Sequence, residues 1–145
     1  MIGVILTGHG SFATGLHEAA IQIVGKQEQF HAVNFPDGAS TEALEQQLRD
    51  AVKVCDKGDG VIFLTDLLGG SPFRTASLIS FELTQAEVIT GTNMQLLLEL
   101  LLEREDLTPQ EARDVMIESA RIGITSFWHE NQKKSSQTEV CDDGI

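Results

Sequence analysis

The chain has 145 residues, 41% hydrophobic and 22% charged, which suits one globular domain with a sizeable buried core. Acidic residues outnumber basic ones 22 to 10, giving a net charge of −12, so the balance argues against a nucleic-acid surface and against anionic membranes. Cys55 and Cys141 form no CxxC or disulfide framework, the first residues carry no signal-peptide pattern, and the richest apolar run (94–102) is interrupted by Glu99; a cytoplasmic protein that is not itself membrane-inserted is expected.

Short apolar runs alternate with amphipathic stretches, the pattern of a parallel sheet covered by helices. Residues 2–7 are predicted as the first strand. A helix over 12–24 follows, with Leu16, Ala20, Ile23 and Val24 on one face and Gly25 as its stop. Residues 30–35 form a second strand, closed by Pro36-Asp37-Gly38. Ser40 caps a helix whose Leu44, Leu48, Ala51 and Cys55 fall at helical spacing. Residues 61–65 make a third strand, continuously apolar at its start and therefore buried on both faces. Ser71-Pro72 reads as the N-cap and first position of a helix reaching about residue 83. A fourth strand covers 87–90, and a leucine-rich helix covers 94–104. Its apolar surface is wide enough to need cover on more than one side. Thr108-Pro109-Gln110-Glu111 is a capping box that opens the next helix. Residues 122–128 read as a short strand, and from His129 onward a polar, unpatterned tail is expected to be disordered. The domain boundary therefore falls at 1–128, with 129–145 as tail.

Right-handed crossovers put every loop that leaves a strand's C-terminal end on one edge of the sheet. In a doubly wound sheet of order 2-1-3-4, strands one and three meet where the winding reverses, and ligands bind in that crevice. The loops converging there hold His9 and Asp66. A carboxylate that accepts a hydrogen bond from one ring N–H fixes the imidazole tautomer and frees the other nitrogen to attack. Gly8 and Gly10 permit close approach, and the amides after His9, at Gly10 and Ser11, open a helix whose dipole favours an anion. Gly69-Gly70-Ser71 builds a second such helix start, with the Ser71 hydroxyl available. Singly, each feature has a plainer reading as a solvated histidine, a turn cap or a bend. Together they describe a phosphoryl site that uses neither metal nor cofactor. His17, His31 and His129 lie in a helix, a strand and the tail, where surface or packing roles are expected, and Cys55 is expected in the core.

Three segments carry a resemblance: Ile5-Leu6-Thr7-Gly8-His9-Gly10, Phe63-Leu64-Thr65-Asp66-Leu67-Leu68-Gly69-Gly70-Ser71-Pro72-Phe73 and Val88-Ile89-Thr90-Gly91-Thr92-Asn93. In order and spacing they resemble the enzyme IIA components of mannose-family sugar phosphotransferase systems, over residues 1–127. The resemblance implies that His9 takes a phosphoryl group from the phosphohistidine of HPr and passes it to a histidine of a cognate enzyme IIB. It implies that Asp66 orients His9. It also implies a homodimer in which residues 122–127 add antiparallel to the partner's sheet. Gln95 departs from relatives that carry proline at the start of this helix. The segment beyond Trp128 resembles the linker to a fused IIB domain, so a separate IIB is expected.

Other readings of the same fold fit less well. A receiver-like signalling domain needs an acidic pair after the first strand, where this chain has Gly8-His9-Gly10. A flavin module lacks an aromatic in the loops, since the chain has no tyrosine and one tryptophan, Trp128. The phosphotransfer subunit of a dihydroxyacetone kinase is the nearest rival, and Gly69-Gly70-Ser71-Pro72-Phe73 favours the sugar-transport family.

Overall fold

A computed structural model describes residues 1–137. Four strands form one all-parallel sheet in the order β2-β1-β3-β4: β1 (Gly3–His9), β2 (Phe30–Phe35), β3 (Val61–Thr65) and β4 (Ala86–Ile89). The sheet order is the predicted one. Strand β1 runs two residues further than predicted, because its ladder with β2 continues through Gly8↔Asn34 and His9↔Phe35. The nucleophile candidate is thus the last residue of a central strand.

Strand alternation divides the core between the two faces of the sheet. Val4, Leu6, Ile62 and Leu64 face a cluster completed by α1 (Phe12–Val24), α4 (Met94–Glu103) and α5 (Pro109–Ile122). Ile5, Val61 and Phe63 face the other, under α2 (Thr41–Cys55) and α3 (Ser71–Ser80). Leu96, Leu97, Leu100 and Leu101 of α4 are buried within the single chain, so the leucine-rich helix finds its cover on α1, α5 and the sheet. Leu102 alone of its leucines is mostly exposed. Cys55 is fully buried; burial pushes its thiol up to about 11, partly opposed by the charges of Arg104 and Lys57. It is an inert core residue, and Cys141 lies outside the described residues.

Capping sets the helix boundaries. Ser40 Oγ accepts the Ala43 N–H at 3.1 Å, and Thr108 and Glu111 form the predicted reciprocal capping box. At α3 the N-cap is Gly70 rather than Ser71, which becomes the first helical residue and makes no capping bond. Helix α3 ends at Ser80, where Phe81 and Leu83 turn back with bonds to Ser77 and Ser80. A 3₁₀ turn, Arg104–Asp106, follows α4.

The C-terminal segment differs from the sequence expectation. Residues 122–127 form no strand in the single chain: Ile122 ends α5, and a further helix, α6 (Phe127–Gln137), begins at Phe127. Local caps account for this. Ser126 Oγ accepts the His129 N–H at 3.1 Å, the Glu130 N–H bonds Ser126 O at 3.0 Å, and Lys133 pairs with Glu130. A strand needs a neighbouring strand to satisfy its backbone, whereas a helix satisfies its own. The expected disorder of the tail is therefore replaced by helix through Gln137, and residues 138–145 lie outside the described residues. No helix among the described residues is long and apolar enough to cross a membrane.

Candidate active site

His9 ends β1 and Asp66 follows β3, which pairs with β1 in the register Thr7↔Thr65. That register brings the two residues together across 57 positions of sequence. Asp66 Oδ2 lies 2.7 Å from His9 Nδ1 and accepts the His9 backbone N–H at 2.8 Å. Its other oxygen accepts the Leu67 N–H at 2.8 Å. The carboxylate is nearly enclosed, its side chain 11% exposed, while the imidazole is 47% exposed. Burial works to raise the Asp66 carboxyl, but the His9 backbone and ring bonds, with the Leu67 amide, together hold it below the usual aspartate range. Asp66 is consequently an anion at neutral pH, and its bond to Nδ1 requires the proton of neutral imidazole to sit there. The lone pair is then on Nε2.

The Nε2 edge faces the start of α3. A methyl group at Gly70 would lie 2.6 Å from His9 Cε1 and 3.3 Å from Nε2, so only glycine allows the loop to come this close. Gly69, at φ +93°, turns the chain into that approach. The first N–H groups of a helix have no partner within the helix, and at α3 they open beside the imidazole. Gly8 is equally crowded, because a methyl there would run into the Phe12 ring and Asp66 Cγ.

The α1 side of the crevice is less free than the sequence suggests. The Gly10 N–H is already donated to Phe35 O at 2.9 Å, and the Thr14 N–H to Asn34 Oδ1 at 3.1 Å. Gly10, at φ +57°, supplies the turn into α1 and not a donor. Ser11 stands exposed at the N-cap of α1, and its hydroxyl makes no capping bond.

Phe35 escaped the sequence reading. Its ring meets His9 edge-on, with centroids 5.8 Å apart. The predicted first strand stops at residue 7, so the pairing His9↔Phe35 that brings the two together is set by the observed register. Gly91 also contributes, donating its N–H to Asp66 O at 3.1 Å, while the Thr92 N–H bonds Thr65 O at 3.2 Å. These bonds tie the β4–α4 loop to the backbone of the carboxylate. His17 stacks on Phe30, His31 lies exposed on β2, and His129 caps α6 with Ser126. None of the three joins the site. Among the described residues no group of three or more His, Cys, Asp or Glu is arranged to hold a metal ion.

Residues 3–117 match a family model described as PTS system fructose IIA component. YadI of Escherichia coli strain K12 is 37% identical over 133 residues, covering 92% of this chain and 91% of that protein. The PTS system mannose-specific EIIAB component of the same organism is 33% identical over 127 residues, covering 87% of this chain and 39% of that longer protein. The crystal structure of phosphotransferase system component EIIA from Streptococcus agalactiae superposes with a TM-score of 0.83 at 32% identity, over 89% of this chain and 99% of that one.

Proposed function

This chain belongs to the mannose-family enzyme IIA components of the sugar phosphotransferase system, and from that premise we propose that it is a cytoplasmic phosphoryl carrier working through His9. The donor is the phosphohistidine of HPr, and the recipient is a histidine of a cognate enzyme IIB. The observation that carries this reading is the 2.7 Å contact of His9 Nδ1 with Asp66, which leaves Nε2 directed at the opening of α3.

In the forward step the Nε2 lone pair attacks the phosphorus of the donor. The new P–Nε2 bond forms as the donor's P–N bond breaks, and that electron pair returns to the donor imidazole. His9 keeps its Nδ1 proton and becomes an N-phosphorylated imidazolium, so no proton has to leave. Asp66 offsets the positive charge that develops on the ring, the differential stabilisation a transition state needs. The amides of Gly69, Gly70 and Ser71, with the Ser11 hydroxyl, supply donors for the phosphoryl oxygens. Transfer to IIB reverses the same motions. Residues 1–128 form the working unit.

The carrier acts as a homodimer. Strand β4 is an edge strand, and beside it lies a groove of about 370 Å³ whose lining combines Val88, Ile89, Leu96, Ile117 and Ile124 with Thr90 and Arg121. Ile122, Ile124, Phe127 and Trp128 are 63–86% exposed in the single chain. An open sheet edge next to a cluster of bare apolar side chains supports strand addition by residues 122–127 of a second copy.

Incubation with phosphorylated HPr, followed by mapping of the acid-labile phosphate, tests the carrier role. Label should appear on His9, move to IIB, and be absent from a His9→Ala variant that melts like the parent. Labelling of that variant at the parental rate would remove His9 as the acceptor.

A further inference from the structure

Of the five arginines, four are engaged. Arg49 holds Glu45 and Glu82, Arg113 holds Glu87 and Asp114, Arg121 holds Glu118, and Arg104 is buried among backbone carbonyls. Arg74 alone has no hydrogen bond or ion pair for its guanidinium among the described residues, and its side chain is exposed. Carboxylates are near: Arg74 shares a cleft of about 200 Å³ with Ser71, Glu42 and Glu45, yet pairs with neither glutamate. Its position is also unfavourable by local rules. It sits in the opening turn of α3, where the helix dipole disfavours a cation. A residue that breaks a local rule without a structural partner marks a place to look for function.

The geometry gives Arg74 a target. Its backbone N–H bonds Gly70 O at 2.9 Å, so it stands one helical turn above the residue that abuts the His9 ring. Helical side chains lean toward the N-terminus, which directs Arg74 back over Gly70. Residues four apart on a helix have Cβ atoms about 5–6 Å apart, which puts the Arg74 Cβ within roughly 9 Å of His9 Cε1. Three methylenes and a guanidinium span that gap to a group carried on Nε2. We propose that Arg74 is a phosphoryl-binding residue: its guanidinium, unpaired in the uncharged protein, donates hydrogen bonds to the phosphoryl oxygens once His9 is phosphorylated. This rests on the carrier role of His9. Planar, paired donors suit a phosphoryl group, and in a chain of net charge −12 a local cation offsets the repulsion felt by an incoming dianion.

Charging with phosphoramidate, a small donor that needs no protein docking, isolates this contact. The phosphohistidine ³¹P resonance, assigned by its loss in His9→Ala, is followed against pH in the parent, in Arg74→Gln and in Arg74→Lys. A guanidinium on the phosphoryl favours its dianion, so the midpoint should rise by roughly half a pH unit or more in Arg74→Gln, with Arg74→Lys between. A merely structural role would not move that midpoint. Equal midpoints in all three proteins, with phosphate on His9, would overturn the assignment of Arg74 and leave the carrier role standing. No His9-dependent resonance in the parent would overturn both.

Discussion

At the scale of single residues the proposed chemistry rests on one hydrogen-bonded pair. In the proposed mechanism Asp66 sets where the His9 proton sits, and Asp66→Asn isolates that role because the two side chains have nearly the same shape. The amide can turn its NH2 toward Nδ1 and favour the tautomer with the proton on Nε2, which blocks attack. It also brings no charge to offset the imidazolium. Phosphoryl acceptance from HPr should fall by roughly a hundredfold or more, and ¹⁵N NMR of His9 should show a larger share of the Nε2–H tautomer. An unchanged rate with an unchanged tautomer would mean that Asp66 does not govern the ring. The same variant has a pH signature. A carboxyl held below its ordinary value stabilises the fold fully above about pH 4 and loses that contribution as pH falls through the lowered native value. Thermal melts of Asp66→Asn should therefore be less sensitive to acid below about pH 4 than those of the parent.

At the scale of elements, the end of the sheet opposite the site is tied together by Arg104. This residue is 1% exposed and follows α4, and its guanidinium donates to the carbonyls of Ile2, Glu28 and Gln29. It thus joins the beginnings of β1 and β2 to the α4–α5 connection. Burial holds the guanidinium below its usual range, partly offset by Cys55, Glu105 and Glu28. No carboxylate closes the arrangement among the described residues, so the carbonyl dipoles carry the charge. Arg104→Ala would leave a cavity and strip the Glu28 carbonyl of its donor, at about 3–5 kcal/mol of stability. Urea titration should show the loss. Arg104→Met, which keeps much of the volume and removes the charge, should cost less. Because the site lies at the other end of the strands, phosphoryl acceptance by the folded fraction should be unaffected.

At the scale of the whole molecule, four large apolar side chains between Ile122 and Trp128 stand exposed in a short stretch of a chain whose net charge is −12. If the exposed Ile122, Ile124, Phe127 and Trp128 meet the β4 edge of a second copy, truncation separates the segments that matter. Removing residues 121–145 should give a monomer in sedimentation experiments, whereas removing 131–145 should leave the dimer. A monomeric full-length chain at tens of micromolar would count against the exchange.

What the sequence determined by itself was whatever depends on local pattern and on topology. Apolar runs and capping residues identified four strands and five helices, because periodicity and end chemistry act over a few neighbours. The crossover rule brought His9 to Asp66 because the winding of a parallel sheet leaves few alternatives. The tertiary structure decided what depends on distance between elements. It engaged His9 Nδ1 with Asp66, placed Gly70 against the ring, committed the Gly10 amide to Phe35, and turned Arg104 inward. Residues 127–137 are helical in the single chain on local caps, a signal that the sequence reading passed over. A strand's stability lies in its partner and a helix's lies in its own caps, so a segment without a neighbour folds on the bonds it can make alone.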